Sequence, residues 1–468
     1  MFTQRFNWLL LLASMAAYPL AAAPAPDLDV AHREVVETLK DYLRIQTFSP
    51  PGGETTGANF LKGILEHEGI ASEIFEKAPG RGNLVARLKG HGSKRPLILM
   101  AHIDTVGVEP TKWTVDPFEP SEKDGYLYGR GTTDDKTSGA VFLEVFRMLH
   151  RLKVPLDRDV IFVAEAGEEG SADLGIEFLV AKHWDKIDAE FALNEGGITL
   201  EEDGRVKYVA VSAAEKVPRR LFLSASGVSG HGSRPRPDNA IVHLSAAVAK
   251  LGAWQPPLRF NEITRLYFQS LAKVSSPGEA WLYTHLDDPV VGFDAQEIIR
   301  KTNFLQNSML RTSISPTVIR GGFQANVIPA DALATLDIRA LPDEDMTAFT
   351  AAMRKVINDP SVQIVVPAGT QRPATPPSPI TSELYRAIER AQKKVFPSAT
   401  TLPQMDAFAT DSAQLRAKGV QAYGLSPVTT AEDNARMHGN DERIEIAGLK
   451  PFFEMVWTAV VDVAGTKP

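Results

Sequence analysis

Short apolar runs, each leading directly into acidic or glycine-rich residues, recur along the first half of this chain. Leu97-Ile98-Leu99-Met100 runs into His102-Ile103-Asp104. Val160-Ile161-Phe162-Val163-Ala164 runs into Glu165-Ala166-Gly167-Glu168-Glu169-Gly170. Phe191-Ala192-Leu193 runs into Asn194-Glu195-Gly196-Gly197. Continuous apolar runs of this length suit strands of a sheet covered on both faces. Between them the spacing lengthens to that of amphipathic helices over Val30 to Leu43, Thr56 to Glu68 and Ala140 to Leu152. Alternating strands and helices predict an α/β domain built on a mixed, mostly parallel sheet flanked by helices. Ligand sites in such sheets lie outside the carboxyl ends of the strands. Three successive strands thus deliver His102, Glu168-Glu169 and Glu195 to one edge.

From about Ala214 the pattern changes. Leu221 to Ser226 alternates like a sheet with one solvated face, and Asn239 to Leu251 follows as a helix. Strands over Thr317 to Arg320 and Ala332 to Arg339, a helix over Met346 to Ile357 and a strand over Val362 to Val366 complete a β-α-β-β-α-β order. That order is a self-contained, ferredoxin-like α+β unit. The organisation expected is a catalytic domain in two pieces, 27–213 and 371–468, with a smaller domain inserted at 214–370. A partly helical insertion at about 254–310 lengthens the smaller domain.

Composition narrows the chemistry. The 468 residues carry a formal charge of −8 with no basic block, which argues against nucleic acid as a partner. There are no cysteines, so disulfides, thiolate ligands and cysteine nucleophiles are excluded. Residues 1–23 combine Arg5, an apolar stretch from Trp8 to Ala17 and small residues at Ala21, Ala22 and Ala23. This is the pattern of a secretory signal, predicting a secreted, periplasmic protein with no membrane span after cleavage. Any metal site must then use His, Asp and Glu, a donor set that suits zinc, or manganese or cobalt.

His102, Asp134, Glu169, Glu195 and His438 are the candidate ligands. Three carboxylates and two imidazoles come close to balancing two divalent ions once a hydroxide bridges them. Asp104, two residues beyond His102, is placed to accept the imidazole's second N–H and fix its tautomer. Singly, each element has a plainer explanation, such as a charged helix start at Asp134-Asp135 or a surface loop at His438. Their convergence on one sheet edge is what points to a site.

The ordered motifs carry a family resemblance as well. They are His102-Ile103-Asp104, Gly129-Arg130-Gly131-x-x-Asp134-Asp135-Lys136, Glu168-Glu169-Gly170 and Asn194-Glu195-Gly196 in the first half. Gly230-His231-Gly232-Ser233-Arg234-Pro235, Asn326-Val327-Ile328-Pro329 and His438-Gly439-Asn440-Asp441-Glu442-Arg443 follow. Together they resemble the co-catalytic di-zinc peptidases and deacylases, a family that includes glutamate carboxypeptidase, acetylornithine deacetylase, succinyl-diaminopimelate desuccinylase, aminoacylase and various dipeptidases. The resemblance implies a zinc-exopeptidase fold whose smaller domain serves as lid and dimer interface, making the protein a homodimer. It implies that Asp134 bridges two Zn2+ ions, with His102 and Glu195 on one and Glu169 and His438 on the other. Glu168 would be the general base, and His231 would reach a partner subunit's site to stabilise the oxyanion. Asn326 and Arg339 would contact substrate, Arg339 at a free carboxylate. The chain departs from the family pattern at Thr137, where a glycine is usual, and at Phe408-Ala409-Thr410-Asp411-Ser412, which replaces a glycine-rich loop. The function implied is hydrolysis of an amide bond next to a free carboxylate, as a carboxypeptidase or dipeptidase. An N-acyl-amino-acid hydrolase is the alternative, and a non-catalytic periplasmic binder a more distant one.

Overall fold

A computed structural model describes residues 25–368 and 371–466. The segment 1–23, expected to be a secretory signal, lies outside the described residues.

The apolar runs form the centre of a ten-stranded sheet. Val160–Glu165, Leu97–His102, Phe191–Asn194 and Gln421–Gly424 lie side by side in that order, all parallel. Every residue of the first three strands is buried, because helices cover both faces. Leu28–Leu43, Lys136–Arg151 and Ile446–Ala464 pack together on one face. Their apolar stripes join Leu97, Leu99, Phe162 and Leu193 in the main core. Ile176–Lys182 and Ser412–Ala417 cover the other face through Ile98, Ile161 and Ala192. Aligned strands turn all their carboxyl ends to one edge, and the candidate ligands gather there.

Two parts of this sheet carry no clear period in the sequence. Ile198–Glu202 and Arg205–Glu215 form an antiparallel hairpin. Thr400–Asp406 runs parallel to the second of these and pairs with no other strand among the described residues. Pro403 lies inside it, and a residue without an N–H is tolerated in a strand only where one side is unpaired.

A second, all-antiparallel sheet takes the order Ser313–Gly321, Asp331–Ala340, Val217–Ser226, Val362–Val365. Helices Ala240–Ala253 and Met346–Ile357 pack on one face, with Leu221, Leu223, Leu336, Ile338 and Met353 in a core of their own. The β-α-β-β-α-β order is as expected. The insertion is not. Its helices Glu262–Leu271, Pro277–Thr284, Gly292–Thr302 and Phe304–Met309 do not extend the smaller unit. Tyr267, Phe268, Leu271, Ile299 and Met309 are buried in the main core, and Glu262–Leu271 lies against Thr400–Asp406. The outer side of that hairpin region is apolar, and the insertion is what covers it.

Lys216 stands where the main sheet hands over to the second one. Its fully buried ammonium lies 2.8 Å from the carbonyl oxygens of Ser308 and Arg311 and 2.9 Å from Ser313 Oγ. Those three residues are where the insertion returns to the second sheet.

Because the insertion shares the main core, truncating one of its large buried side chains should unsettle the whole body. Phe268→Ala is expected to cost about 3–5 kcal/mol, as a large aromatic truncation in a packed core does. Urea unfolding should show one transition at a lower midpoint. An unchanged midpoint would place the insertion outside the core.

Candidate metal centre

Strand ends and loops bring the five expected ligands together. Ligand atoms of His102, Asp134 and Glu195 lie within 4.8 Å of one another, and so do those of Asp134, Glu169 and His438. Asp134 belongs to both triads. Its Oδ1 is 2.9 Å from His102 Nε2 and its Oδ2 is 2.8 Å from His438 Nε2. His438 Nε2 is also 3.0 Å from Glu169 Oε1. One carboxylate thus offers each of its oxygens to a different triad, which is the arrangement a pair of cations needs.

The electrostatics fit positive charge at the centre. Burial pushes the Glu195 carboxyl well above its usual range, and the charge of Asp134 adds to this. Burial would lower His102, but its hydrogen bond to Asp134 and the charge of Glu195 carry it well above its usual value. His438 rises to about 10 through its bonds to Asp134 and Glu169. Three clustered carboxylates and two imidazoles, with no thiolate, form a donor set suited to divalent zinc, cobalt or manganese.

Two buried carboxylates hold the loops that carry these ligands. Asp104 is one, and its role differs from the one expected. The Nδ1–H of His102 donates to the backbone carbonyl of Asp104 at 2.8 Å, and the Asp104 carboxylate stands 3.7 Å away. That carboxylate instead accepts the backbone N–H groups of Gly167, Glu168 and Glu169, at 2.9, 3.1 and 3.2 Å. A side chain two residues along a strand faces the same side as His102, and there the bare amides of the 167–169 turn are the nearer donors. Sequence reasoning assigned no role to Glu442, the second of them. Fully buried, it accepts the N–H groups of Gly131 at 3.2 Å, Thr133 at 2.7 Å and Asp134 at 3.3 Å, and it pairs with Arg130. Arg130 also donates to the carbonyl of Gly439 at 2.7 Å. The loop bearing Asp134 is so fastened to the loop bearing His438.

Glu168 does not join either triad but lies beside them. Burial and the nearby charge of Asp411 raise its carboxyl to about 8. Arg372, also unforeseen, donates from Nη2 to Glu168 Oε1 at 3.3 Å and to Asp411 Oδ1 at 3.2 Å. Its only sequence signal is a lone arginine before a proline-rich stretch.

The centre opens into a cleft of about 1370 Å³ between the two sheets. Asp134, Glu168, Glu169, Glu195 and His438 line it from the main sheet, and Arg220, Phe222, Asp337 and Arg339 line it from the second. Arg339 lines the cleft, where its Nε lies 3.0 Å from Asp337 Oδ1 and its Nη2 3.2 Å from Asp337 Oδ2. His231 and Asn326 are not brought to the centre within this chain. They sit side by side on the exposed two-stranded pairing of Gly230–His231 with Val327–Ile328. His231 Nδ1 accepts the N–H of Ser233 at 3.1 Å, and the carbonyl of Asn326 accepts the N–H of Gly232 at 2.7 Å.

Two outcomes test this geometry. Asp134→Ala should lose both metals after dialysis, measured by elemental analysis; retention of one would show that the triads bind independently. Asp104→Ala leaves three backbone donors unanswered and should cost about 2–3 kcal/mol in urea unfolding. Unchanged stability would mean that Asp104 does not hold the 167–169 turn.

Comparison with known proteins agrees with the site. The model of peptidase family M20/M25/M40 matches residues 98–461. The human N-fatty-acyl-amino acid synthase/hydrolase PM20D1 is 28% identical over 456 residues, covering 91% of this chain and 88% of its own. Rat aminoacylase-1A is 27% identical over 417 residues, covering 88% of this chain and 91% of its own. Among solved structures, an M20 family metallo-carboxypeptidase of Sulfolobus solfataricus superposes with a TM-score of 0.66 at 19% identity, covering 92% of this chain and 99% of its own. With its metal-ligand triads and a family match across most of its length, the chain belongs to peptidase family M20/M25/M40 and is an enzyme of the metallopeptidase and amidohydrolase kind.

Proposed function

We propose that this protein is a two-zinc hydrolase that cleaves an amide bond beside a free carboxylate. The observation that carries the proposal is the shared carboxylate of Asp134, with Glu168 half-buried next to both triads. His102 and Glu195 would hold one ion, Glu169 and His438 the other, and Asp134 both. Bound ions of this kind supply a Lewis acid for the carbonyl and lower the pKa of a water. Glu168 takes the proton of the attacking water and returns it to the leaving nitrogen. Adjacent placement lets Glu169 ligate while Glu168 faces the cleft. Arg372 and the Asp104 latch keep Glu168 in that position.

Peptides and N-acyl amino acids both fit this description. The metallo-exopeptidase reading rests on the motif pattern and on the fold shared with a metallo-carboxypeptidase. One observation favours the acyl form: Ile198, Phe222, Leu305, Val318, Phe408 and Leu425 give the cleft apolar walls. The names of PM20D1 and aminoacylase point the same way. In our reading the protein is periplasmic and forms a homodimer through the second sheet, which supplies His231 and Asn326 to the partner's site. Ser313–Gly321 is an exposed edge strand there, and Ile241, Val242 and Ile319 are exposed apolar residues near it.

Purified protein reconstituted with zinc should hydrolyse members of a panel of dipeptides and N-acyl amino acids. No turnover of any of them by the metal-loaded protein would reject the proposal. Glu168→Gln should keep its metal and lose about 10²–10⁴-fold in kcat, the usual scale for a general base. Retained activity would remove Glu168 from that role.

A further inference from the structure

Two of the three candidate carboxylate ligands sit on turns that a buried carboxylate holds. Asp104 holds the turn of Glu169, and Glu442 holds the loop of Asp134. The third ligand, Glu195, precedes two glycines with positive φ, +112° at Gly196 and +68° at Gly197. A turn of two glycines has no side chains of its own to fix its shape.

Beneath that turn lies Asp406, the last residue of Thr400–Asp406, and it is fully buried. The N–H of Gly197 lies 3.3 Å from each oxygen of its carboxylate. Gln404 Nε2 also donates to Oδ1, at 2.6 Å. The fit is close. A Cβ on Gly196 would come 2.6 Å from Asp406 Oδ2, and one on Gly197 would come 2.1 Å from the carbonyl oxygen of Ala210. The two glycines let the turn settle onto the carboxylate and the neighbouring strand.

The strand end that carries Asp406 is itself fastened. Its carbonyl accepts the N–H of Lys216 at 2.8 Å. Met405 is buried in the main core, and its sulfur lies 3.2 Å from Asn261 Nδ2 of the insertion. Among the ligand-bearing turns, Asp406 bonds to the one after Glu195, and Glu195 shares a triad with His102 and Asp134. Glu169 and His438, of the other triad, sit on loops held by Asp104 and Arg130.

We infer that Asp406 is the positioning residue for Glu195, and that it sets the affinity of one metal ion, the one held by His102 and Glu195, and not that of the other. This rests on the two-metal reading of the centre.

The test is a cobalt(II) titration of the metal-free protein, followed by calorimetry and by the visible spectrum. Wild type should bind two ions. In Asp406→Ala one binding step should weaken about 10- to 100-fold, the usual cost of losing a group that orients a ligand. The visible band of that ion should change, and the other step should keep its constant. Asp406→Asn, which keeps an accepting oxygen, should recover part of the loss. Equal weakening of both steps in Asp406→Ala, or of neither, would overturn the inference. If Asp406→Ala does not fold, Gln404→Leu, which takes the Gln404 N–H from the carboxylate, is read in its place: the same single step should weaken, and two unchanged steps overturn the inference. Hydrogen exchange at the Gly197 amide of the metal-free protein judges the clasp apart from the metals. If wild type does not bind two ions but Asp406→Ala speeds that exchange, the clasp stands and the two-metal reading falls. Unchanged exchange overturns the clasp itself.

Discussion

Like charges repel, and this site gathers three carboxylates and two imidazoles into two triads that share Asp134. The rest of the structure answers that constraint. Parallel strands bring His102 and the loops of Glu169 and Glu195 to one edge. Around them, Asp104 and Glu442 are fully buried, and each accepts three backbone N–H groups. Each carboxylate thus pulls a turn of bare amides into a fixed shape, and each turn carries a ligand. The cluster is held by the bonds of His102 and His438 to Asp134 and by loops fastened from beneath.

The same logic separates what reaches the substrate from what holds the site. Glu168 faces the cleft and has an arginine behind it. Arg372 contributes charge from the segment that leads back out of the second sheet, so the environment of Glu168 depends on both sheets. The second sheet places its helices on one face and leaves the other toward the cleft. That face is cationic at Arg220 and apolar at Phe222.

Much of this was legible in the sequence, and the physical reason is locality. A strand end followed by an acidic turn is a local pattern, so His102, Glu169 and Glu195 could be placed together from spacing alone. The α+β order of the second unit is local in the same sense. Asp104 was found, but its partner was misjudged, because the choice between an imidazole N–H and a turn of amides depends on distances of about an ångström. Glu442 and Arg372 act on residues far away in the chain, at Asp134 and Glu168, and no nearby pattern marks them. Amphipathic helices at 254–310 announce an apolar face but do not say which sheet it covers. That was decided by the uncovered side of the main sheet, whose edge strand is disguised by Pro403.

Lys216 gives the two sheets a joint where a linker would otherwise suffice. The strand leaving the main sheet and the chain returning from the insertion are held by one buried ammonium, and burial lowers its pKa to about 7. Swinging the second sheet while leaving the insertion behind would strip that cation of its partners, a cost of about 1.5–3 kcal/mol for each bond lost. The joint therefore ties the second sheet to the insertion and, through it, to the main core. Leu305, on the insertion, and Arg220, on the second sheet, line the same cleft, and one buried cation fixes their spacing along the wall they share.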